Sequence, residues 1–317
     1  DRPFTTIVAG NKSANDDIKA IFNEAGKDVV ITENVMPQFN KLNIEPARDA
    51  IRQLFISRII EAKGLNILQS MTSYKIIPTP LAVLHACELL SKGTKTQQGR
   101  GDLLAVDIGG ATTDVYSMAS GEPTVDNTML KGLPEPWMKR TVEGDLGMRY
   151  SLTHVFEQIP GADNSENEYM QQVKAWVELC TARPDTLAAP GSEEEKLEEF
   201  LGRSAVSMAV ERHCGRIADV YTPLGLMHTQ EGKDLMNVPS VIGIGGVLRN
   251  SRRPEEILKG SLYDFMHPEC TKPRKPKFYL DQKYIFASMG LLRSINPELA
   301  FELLDKETVE IGCNATV

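Results

Sequence analysis

Short apolar runs alternate with amphipathic segments in the first third of the chain. The runs are rich in β-branched residues, and the longer segments repeat apolar positions every three or four residues, which is typical of strands and helices respectively. A strand, a helix and a second strand in that order indicate a βαβ unit. The predicted elements are strands at 4–9 and 29–32 and helices at 14–25, from Pro46 to Gly64, and at 81–90.

Two β-rich runs, residues 103–108 and 113–117, flank a turn of small residues, Gly109-Gly110-Ala111. This arrangement predicts a strand, a tight turn and a returning strand. Alternation of strands with helices along the rest of the chain favours an α/β architecture. The later predicted elements are helices at 204–221, 284–292 and 297–304, a strand at 240–244 and an exposed connection at 272–277.

Composition excludes several classes of protein. The 317 residues are 41% hydrophobic and 25% charged, as in a globular protein of about two domains. The net charge of −8 makes nucleic acid an unexpected partner, and the longest apolar or glycine run, 241–248, is far below the roughly 20 residues of a membrane span. Five scattered cysteines fit a reducing compartment better than a disulfide framework, which predicts a cytoplasmic protein.

Residues 163–202 differ in composition from their surroundings. They carry ten acidic and three basic side chains, a net charge of −7 that accounts for most of the charge of the chain. This composition predicts a helical insertion that faces solvent.

The strongest chemical signal is the octet from Asp107 to Asp114, which lies between two predicted strands. Paired glycines at Gly109 and Gly110 let backbone N–H groups approach an anion, as in phosphate-binding loops. Asp107 and Asp114 bracket the turn and have the oxygen ligands that suit Mg²⁺ held through its waters. Hydroxyl donors at Thr112 and Thr113 complete the octet. The alternative interpretation is a β-hairpin whose polar side chains make only local turn bonds.

A second glycine pair, Gly245-Gly246, follows the predicted strand at 240–244. Glycines at a strand end let a flat ligand such as adenosine contact the backbone, although a simple tight turn gives the same pattern. The pair lacks the next glycine of a dinucleotide fingerprint, because Leu248 stands there. Glu143 and Asp145 are weaker candidates: they lie either over the nucleotide or at an ordinary helix entry. Arg249 is another, which either contacts a ligand or is solvated.

The octet resembles the second phosphate-binding loop of the actin, sugar-kinase and heat-shock-chaperone ATPase superfamily, and residues 241–246 resemble its adenosine motif. Residues 78–82 and 287–291 resemble its two connecting helices, in which small residues let the helices cross closely. The resemblance implies a ribonuclease-H-like α/β fold that binds ATP and Mg²⁺. On this basis Asp107 and Asp114 hold Mg²⁺, and the glycine pairs with Thr112 and Thr113 bind the nucleotide.

Several longer segments are similar to the MutL family, also written GlmL, which is associated with cobalamin-dependent glutamate mutase. They are residues 33–37, 43–48, 139–149 and 221–223. Nothing upstream of Asp107 matches the first phosphate loop of the superfamily. The chain is therefore expected to be a C-terminal fragment. Residues 1–92 form the end of the first actin-like domain with a connecting helix, and residues 93–317 form the second domain.

The resemblance implies an ATPase-type accessory factor that reactivates a cobalamin-dependent mutase or acts on it like a chaperone. A small-molecule kinase of the same superfamily is an alternative, although no clear base for an acceptor hydroxyl is visible. A non-catalytic actin-like scaffold is a third possibility. The usual base-off cobalamin motif, Asp-x-His-x-x-Gly, is absent from the sequence.

Overall fold

The computed structural model describes residues 4–39, 41–62, 76–223 and 225–312, and the chain divides into two units, Asp1–Pro78 and Thr79–Val317. The elements of the first unit are β1 (Thr6–Val8), α1 (Asn15–Glu24), β2 (Val29–Ile31) and α2 (Glu45–Ala62). β1 and β2 pair in parallel with α1 between them in sequence, so the predicted βαβ unit is confirmed. The predicted end of the second helix at Gly64 lies outside the described residues.

The second unit contains the six-stranded sheet that carries the octet and a separate three-stranded sheet. Its strands are β3 (Leu103–Ile108), β4 (Thr113–Met118), β5 (Thr128–Lys131), β6 (Met138–Glu143), β7 (Arg216–Thr222), β8 (Gly225–Glu231), β9 (Ser240–Ile244), β10 (Lys277–Asp281) and β11 (Thr308–Ile311). Its helices are α3 (Thr79–Lys92), α4 (Leu152–Glu157), α5 (Glu168–Ala182), α6 (Glu193–His213), α7 (Gly246–Asn250), α8 (Pro254–Leu258), α9 (Phe286–Leu292) and α10 (Pro297–Glu307).

A six-stranded sheet in the order β11-β10-β9-β3-β4-β6 forms the centre of this unit. β10, β9 and β3 run parallel, whereas β4, β6 and β11 are antiparallel to their neighbours. A separate three-stranded sheet has the order β5-β8-β7. The structure is therefore a mixed α/β arrangement, and the predicted hairpin of β3 and β4 around the small-residue turn is confirmed.

Both faces of the six-stranded sheet are covered by helices. Successive residues of a strand point to opposite faces. Leu104 and Val106 accordingly join a core with α4, α5, α6, α7 and α8, while Leu103 and Ala105 join a second core with α3, α9 and α10. Burial on both sides explains why β3 is apolar almost throughout.

α3 and α9 cross at close range, as the small residues in their sequences predict. A Cβ atom on Gly290 would lie 1.8 Å from the carbonyl oxygen of Ala82, so only glycine permits this crossing. Arg293 links the same helices by donating to the carbonyl oxygen of His85 at 2.9 Å. α3 therefore packs with the second unit, and the structural boundary falls after residue 78, whereas the sequence placed it after residue 92.

The prediction of one helix at 204–221 is wrong. α6 ends at His213, Cys214 is extended, and residues 216–222 form β7. Apolar positions at helical spacing ran on through Cys214 to Ile217, but the segment from residue 216 is rich in β-branched and aromatic residues that favour a strand. The antiparallel partner strand β8 then fixes this conformation.

The prediction that residues 163–202 face solvent is also wrong in part. The segment is helical, comprising α5 and the start of α6, but one face of each helix is buried in the core beside the sheet. Trp176 and Leu201 are examples, exposed by 7% and 0%. Within the described residues no helix is long and apolar enough to cross a membrane.

Candidate functional site

Three parallel strands, β3, β9 and β10, end at one edge of the six-stranded sheet. Asp107 on β3 lies in register with Ile244, the last residue of β9, and Asp281 is the last residue of β10. Ligands of open α/β sheets bind outside the carboxyl ends of such strands. The octet after β3 and the glycine pair after β9 are thus brought to one place.

The turn after β9 lies directly against the end of β3. Gly245 has φ of +97°, and a Cβ atom on it would lie 2.5 Å from Asp107 Oδ1 and 2.6 Å from the carbonyl oxygen of Ile108. Any side chain there would collide with the neighbouring strand and would also strain the backbone. The glycine is therefore required for the two turns to approach. Gly246 begins α7, and a Cβ atom on it would meet only Asn250, at 3.8 Å.

The loop of the octet is held through its carbonyl oxygens. Gly109 accepts from the N–H of Met148 at 3.1 Å, and Gly110 accepts from the N–H groups of Arg149 and Tyr150, both at 2.8 Å. The hydroxyl of Ser151 donates to the carbonyl oxygen of Ala111 at 2.8 Å. These bonds fix the loop from the side of residues 148–151.

The N–H groups of the same loop remain available. Those of Gly110, Ala111 and Thr112 donate no hydrogen bond to any described residue, whereas Gly109 N donates to Thr112 O at 2.9 Å. Ala111 does not adopt a positive φ, so it fits the loop without strain. Three successive free N–H groups in a fixed turn are the arrangement that binds anions.

The two acids of the octet have different surroundings. Asp114 is buried and ion-paired, because Arg140 Nε donates to its Oδ1 at 2.8 Å and Arg140 Nη2 lies 2.7 Å from the same oxygen. Thr112 donates to its Oδ2 at 3.3 Å. Both oxygens of Asp114 therefore already have partners in the protein.

Asp107 is partly buried, and its carboxylate accepts no hydrogen bond from the described residues. Its pKa is raised to about 6, chiefly by burial and also by the nearby carboxylates of Asp114 and Asp281, whereas Arg140 acts in the opposite direction. An acid in this state is an uncompensated negative charge at neutral pH. The structure thus leaves one carboxylate at the edge without a partner.

Comparison with known proteins assigns the chain to a family. A model of the family described as "MutL protein" matches residues 1–308. The protein named "Protein MutL" from Clostridium tetanomorphum is 46% identical over 308 residues, which cover 96% of this chain. The chain belongs to the MutL family. It spans 66% of the length of that curated relative, slightly less than two thirds.

Three residues of this MutL-family chain are close to the edge but were not identified from the sequence. Asp281 accepts from the N–H groups of Ile285 at 3.0 Å and Phe286 at 3.1 Å, and burial raises its pKa. Tyr284 has φ of +58°, an uncommon conformation for a residue with a large side chain. Arg140 is the third. Acids at the ends of buried strands are the signal that could have revealed Asp281.

Several residues that the sequence suggested as ligand-binding residues have hydrogen-bond or ion-pair partners within the protein instead. Thr113 is fully buried, and its hydroxyl donates to the carbonyl oxygen of Leu146, so it holds the loop from inside. Arg212 pairs with Glu143 and Asp145, each at 2.7 Å. Glu143 is the last residue of β6 and Asp145 follows it, so neither acid forms a helix entry. Arg212 lowers the pKa of Asp145 to about 2. The ion pairs make the structural interpretation of both acids the simpler one.

The backbone around residue 147 explains why a glycine is present at this position. A Cβ atom there would lie 2.2 Å from the carbonyl carbon of Ala111, so glycine is required for close contact with the loop of the octet. Arg249 lies at the same edge and donates to the carbonyl oxygen of Gln282 at 3.2 Å.

Among the described residues no group of three or more His, Cys, Asp or Glu side chains is arranged to hold a metal ion.

Proposed function

We propose that the chain binds ATP with Mg²⁺ at the edge formed by β3, β9 and β10, within an ATPase-type accessory factor for a cobalamin-dependent mutase such as glutamate mutase. Its role there is reactivating or chaperone-like. Membership of the MutL family supports the accessory role. The nucleotide-binding part is argued from the geometry of the edge.

The observation that carries the proposal is the pairing of a free anion-binding turn with an unpartnered carboxylate. The N–H groups of Gly110, Ala111 and Thr112 are free to donate to phosphate oxygens. Asp107, beside them, has oxygens free for a hydrated cation. A Mg²⁺ ion that retains its waters needs few direct protein ligands, because the phosphates supply the others.

Asp107 and Asp114 have different proposed roles because their hydrogen-bond and ion-pair partners differ. Asp107 is the residue that would hold Mg²⁺ through water, and the ion would there neutralise phosphate charge. Asp114 reaches the ion only when its pair with Arg140 opens, so in the present arrangement it positions the loop through Thr112. The adenosine is assigned to the turn at Gly245 and Gly246, where no side chain stands between a ligand and the backbone.

The family resemblance remains the source of the proposed actin-like ATPase fold. The six-stranded sheet with helices on both faces is compatible with it, and the close crossing of α3 and α9 agrees with its connecting helices. Hydrolysis and action on a mutase are proposed for the whole protein, because this chain spans only part of the length of its curated relative.

A pair of glycine variants tests nucleotide binding. A methyl group at residue 110 fits the fold, since its nearest neighbour would be Arg149 Cβ at 3.7 Å, but it would stand in the proposed phosphate site. We expect Gly110→Ala to weaken Mg-ATP binding by roughly 10-fold or more without changing the melting temperature. Gly144→Ala, where a Cβ atom meets nothing within 4 Å, is the matched control.

Calorimetric titration with Mg-ATP up to millimolar concentration supplies the measurement. The proposal is refuted if the unsubstituted chain does not bind Mg-ATP, or if tight binding survives Asp107→Ala. The accessory role is tested separately with the full-length protein and purified cobalamin-dependent mutases. Stimulation of ATP hydrolysis by a mutase supports it, and hydrolysis that no mutase alters contradicts it.

A further inference from the structure

Arg140 connects the neighbouring strand β6 to the octet. In the β4–β6 register it lies opposite Tyr116, and its guanidinium reaches along the sheet face to Asp114. Its side chain is 31% exposed, although that of Asp114 is only 10% exposed. The ion pair therefore has a buried acidic end and a basic end that is open to solvent.

The guanidinium has donors left after this pairing. Arginine carries five N–H donors in a rigid fork. Nε donates to Asp114 Oδ1 at 2.8 Å, and Nη2 lies 2.7 Å from the same oxygen within the ion pair. Nη1 has no hydrogen-bond partner in the part of the chain that the structure describes. A second acceptor can therefore bind while Asp114 stays paired.

Arg140 and the anion-binding loop are joined through one carboxylate. Asp114 accepts from Arg140 at one oxygen and from Thr112, the last loop residue with a free N–H, at the other. Arg140 also lowers the pKa of Asp107 by its charge, so its field reaches the unpartnered acid. The guanidinium thus contacts the acid that holds the loop and acts electrostatically on Asp107.

The negative charge at the edge of the sheet makes a nearby cationic side chain such as Arg140 favourable for phosphate binding. Asp107, Asp114 and Asp281 bring three carboxylates to the place where a polyanionic tail is proposed to bind. Mg²⁺ offsets part of this repulsion, and Arg249 lies on the other side, near Asp281. Guanidinium is the side chain best suited to phosphate, because its planar fork matches phosphate oxygens and keeps its charge at any working pH.

We propose that Arg140 is a phosphate-binding residue of this site: the guanidinium that neutralises Asp114 donates its remaining N–H groups to the phosphates of the nucleotide. The inference rests on the proposed function and adds a side chain that, together with the N–H groups of the loop, distinguishes a nucleotide from a nucleoside. Arg140 thereby acts on binding directly, in addition to positioning the octet through Asp114.

The test must separate phosphate binding from loss of the ion pair. Arg140→Gln alone leaves a buried unpaired carboxylate and disturbs the loop. The informative comparison is between Asp114→Asn and the double variant Asp114→Asn with Arg140→Gln, since neither contains the ion pair. Titrations with Mg-ATP and with adenosine are run on both variants and on the unsubstituted chain, and melting temperatures are recorded as a check on folding.

We expect the double variant to bind Mg-ATP roughly 10-fold or more weakly than Asp114→Asn, since a charge-assisted contact to phosphate is lost. Adenosine affinity should differ between the two variants by less than about 3-fold, because adenosine has no phosphate. Equal Mg-ATP affinities in the two variants, or equal losses for Mg-ATP and adenosine, would overturn the inference while leaving the proposed function intact. Failure of the unsubstituted chain to bind Mg-ATP refutes the proposed function itself.

Discussion

Replacing Asp107 by asparagine should make the protein more stable at neutral pH while it removes the proposed Mg²⁺ contact. The unpartnered carboxylate has its pKa raised from 3.8 to about 6, chiefly because burial penalises the charged form. The folded protein therefore binds this proton more tightly than the unfolded chain does. Stability is then highest when the acid is protonated and falls as the pH rises through the interval from about 4 to 6.

The size of the effect follows from the same shift. A difference of about two pKa units corresponds to roughly 3 kcal/mol once the acid is fully ionised, at about 1.4 kcal/mol per unit. Solvent screening of a partly exposed group lowers this figure, so about 1 to 3 kcal/mol is expected. Asparagine has nearly the same shape and no charge. Asp107→Asn should therefore exceed the unsubstituted protein in stability by this amount at pH 7.5, and by almost nothing at pH 4.

Denaturant unfolding followed by tryptophan fluorescence measures the difference. Both tryptophans, Trp137 and Trp176, belong to the second unit, so the signal reports on the unit that contains Asp107. Asp126→Asn, at an exposed acid, is the matched control and should show no such dependence. The reasoning is refuted if Asp107→Asn destabilises the unit at pH 7.5, or if its advantage is the same at pH 4 and pH 7.5.

Two further predictions concern other residues of the second unit. Gly245→Ala should lower the free energy of unfolding by at least about 2 kcal/mol, because the alanine would have a positive φ and a Cβ atom 2.5 Å from Asp107 Oδ1. Gly246→Ala should lower it by less than about 1 kcal/mol in the same assay. Equal effects of the two substitutions would contradict this geometry. Burial lowers the pKa of His213 well below 6.5, so the stability that its neutral form gives is present above about pH 6.5 and lost as the pH falls. When Asp107 is replaced by asparagine, adding His213→Gln should reduce the fall in the free energy of unfolding between pH 7 and pH 5. An unchanged pH dependence would exclude this histidine as the cause of that fall.

Local sequence was sufficient to predict the elements that carry the candidate site. The hairpin of β3 and β4 and the strand β9 follow from short apolar runs bounded by small residues, and these signals depend on neighbours in the sequence. The need for glycine at 245 was also foreseeable as a turn. Its reason, contact with Asp107, is visible only when β9 and β3 are known to be adjacent and parallel.

The residues that were missed depend on pairing between distant segments. Arg140 acquires its importance because β6 lies beside β4, and Asp281 because β10 lies beside β9. No periodicity within either strand encodes those neighbours. The same limitation explains β7, whose conformation is fixed by β8 and whose start was indistinguishable in spacing from the end of α6. Sequence patterns specify elements better than they specify partners.

The edge of the sheet contains local conflicts that the rest of the second unit avoids. Asp107 has no partner for its charge, and Tyr284 adopts a positive φ that its side chain disfavours. Nearby acids without a proposed ligand role, such as Asp145, have arginine partners instead. Conflicts of this kind are expected where a ligand supplies the missing interaction. A single bound Mg-nucleotide would compensate Asp107 and the free N–H groups of the loop together, which a purely structural hairpin would not do.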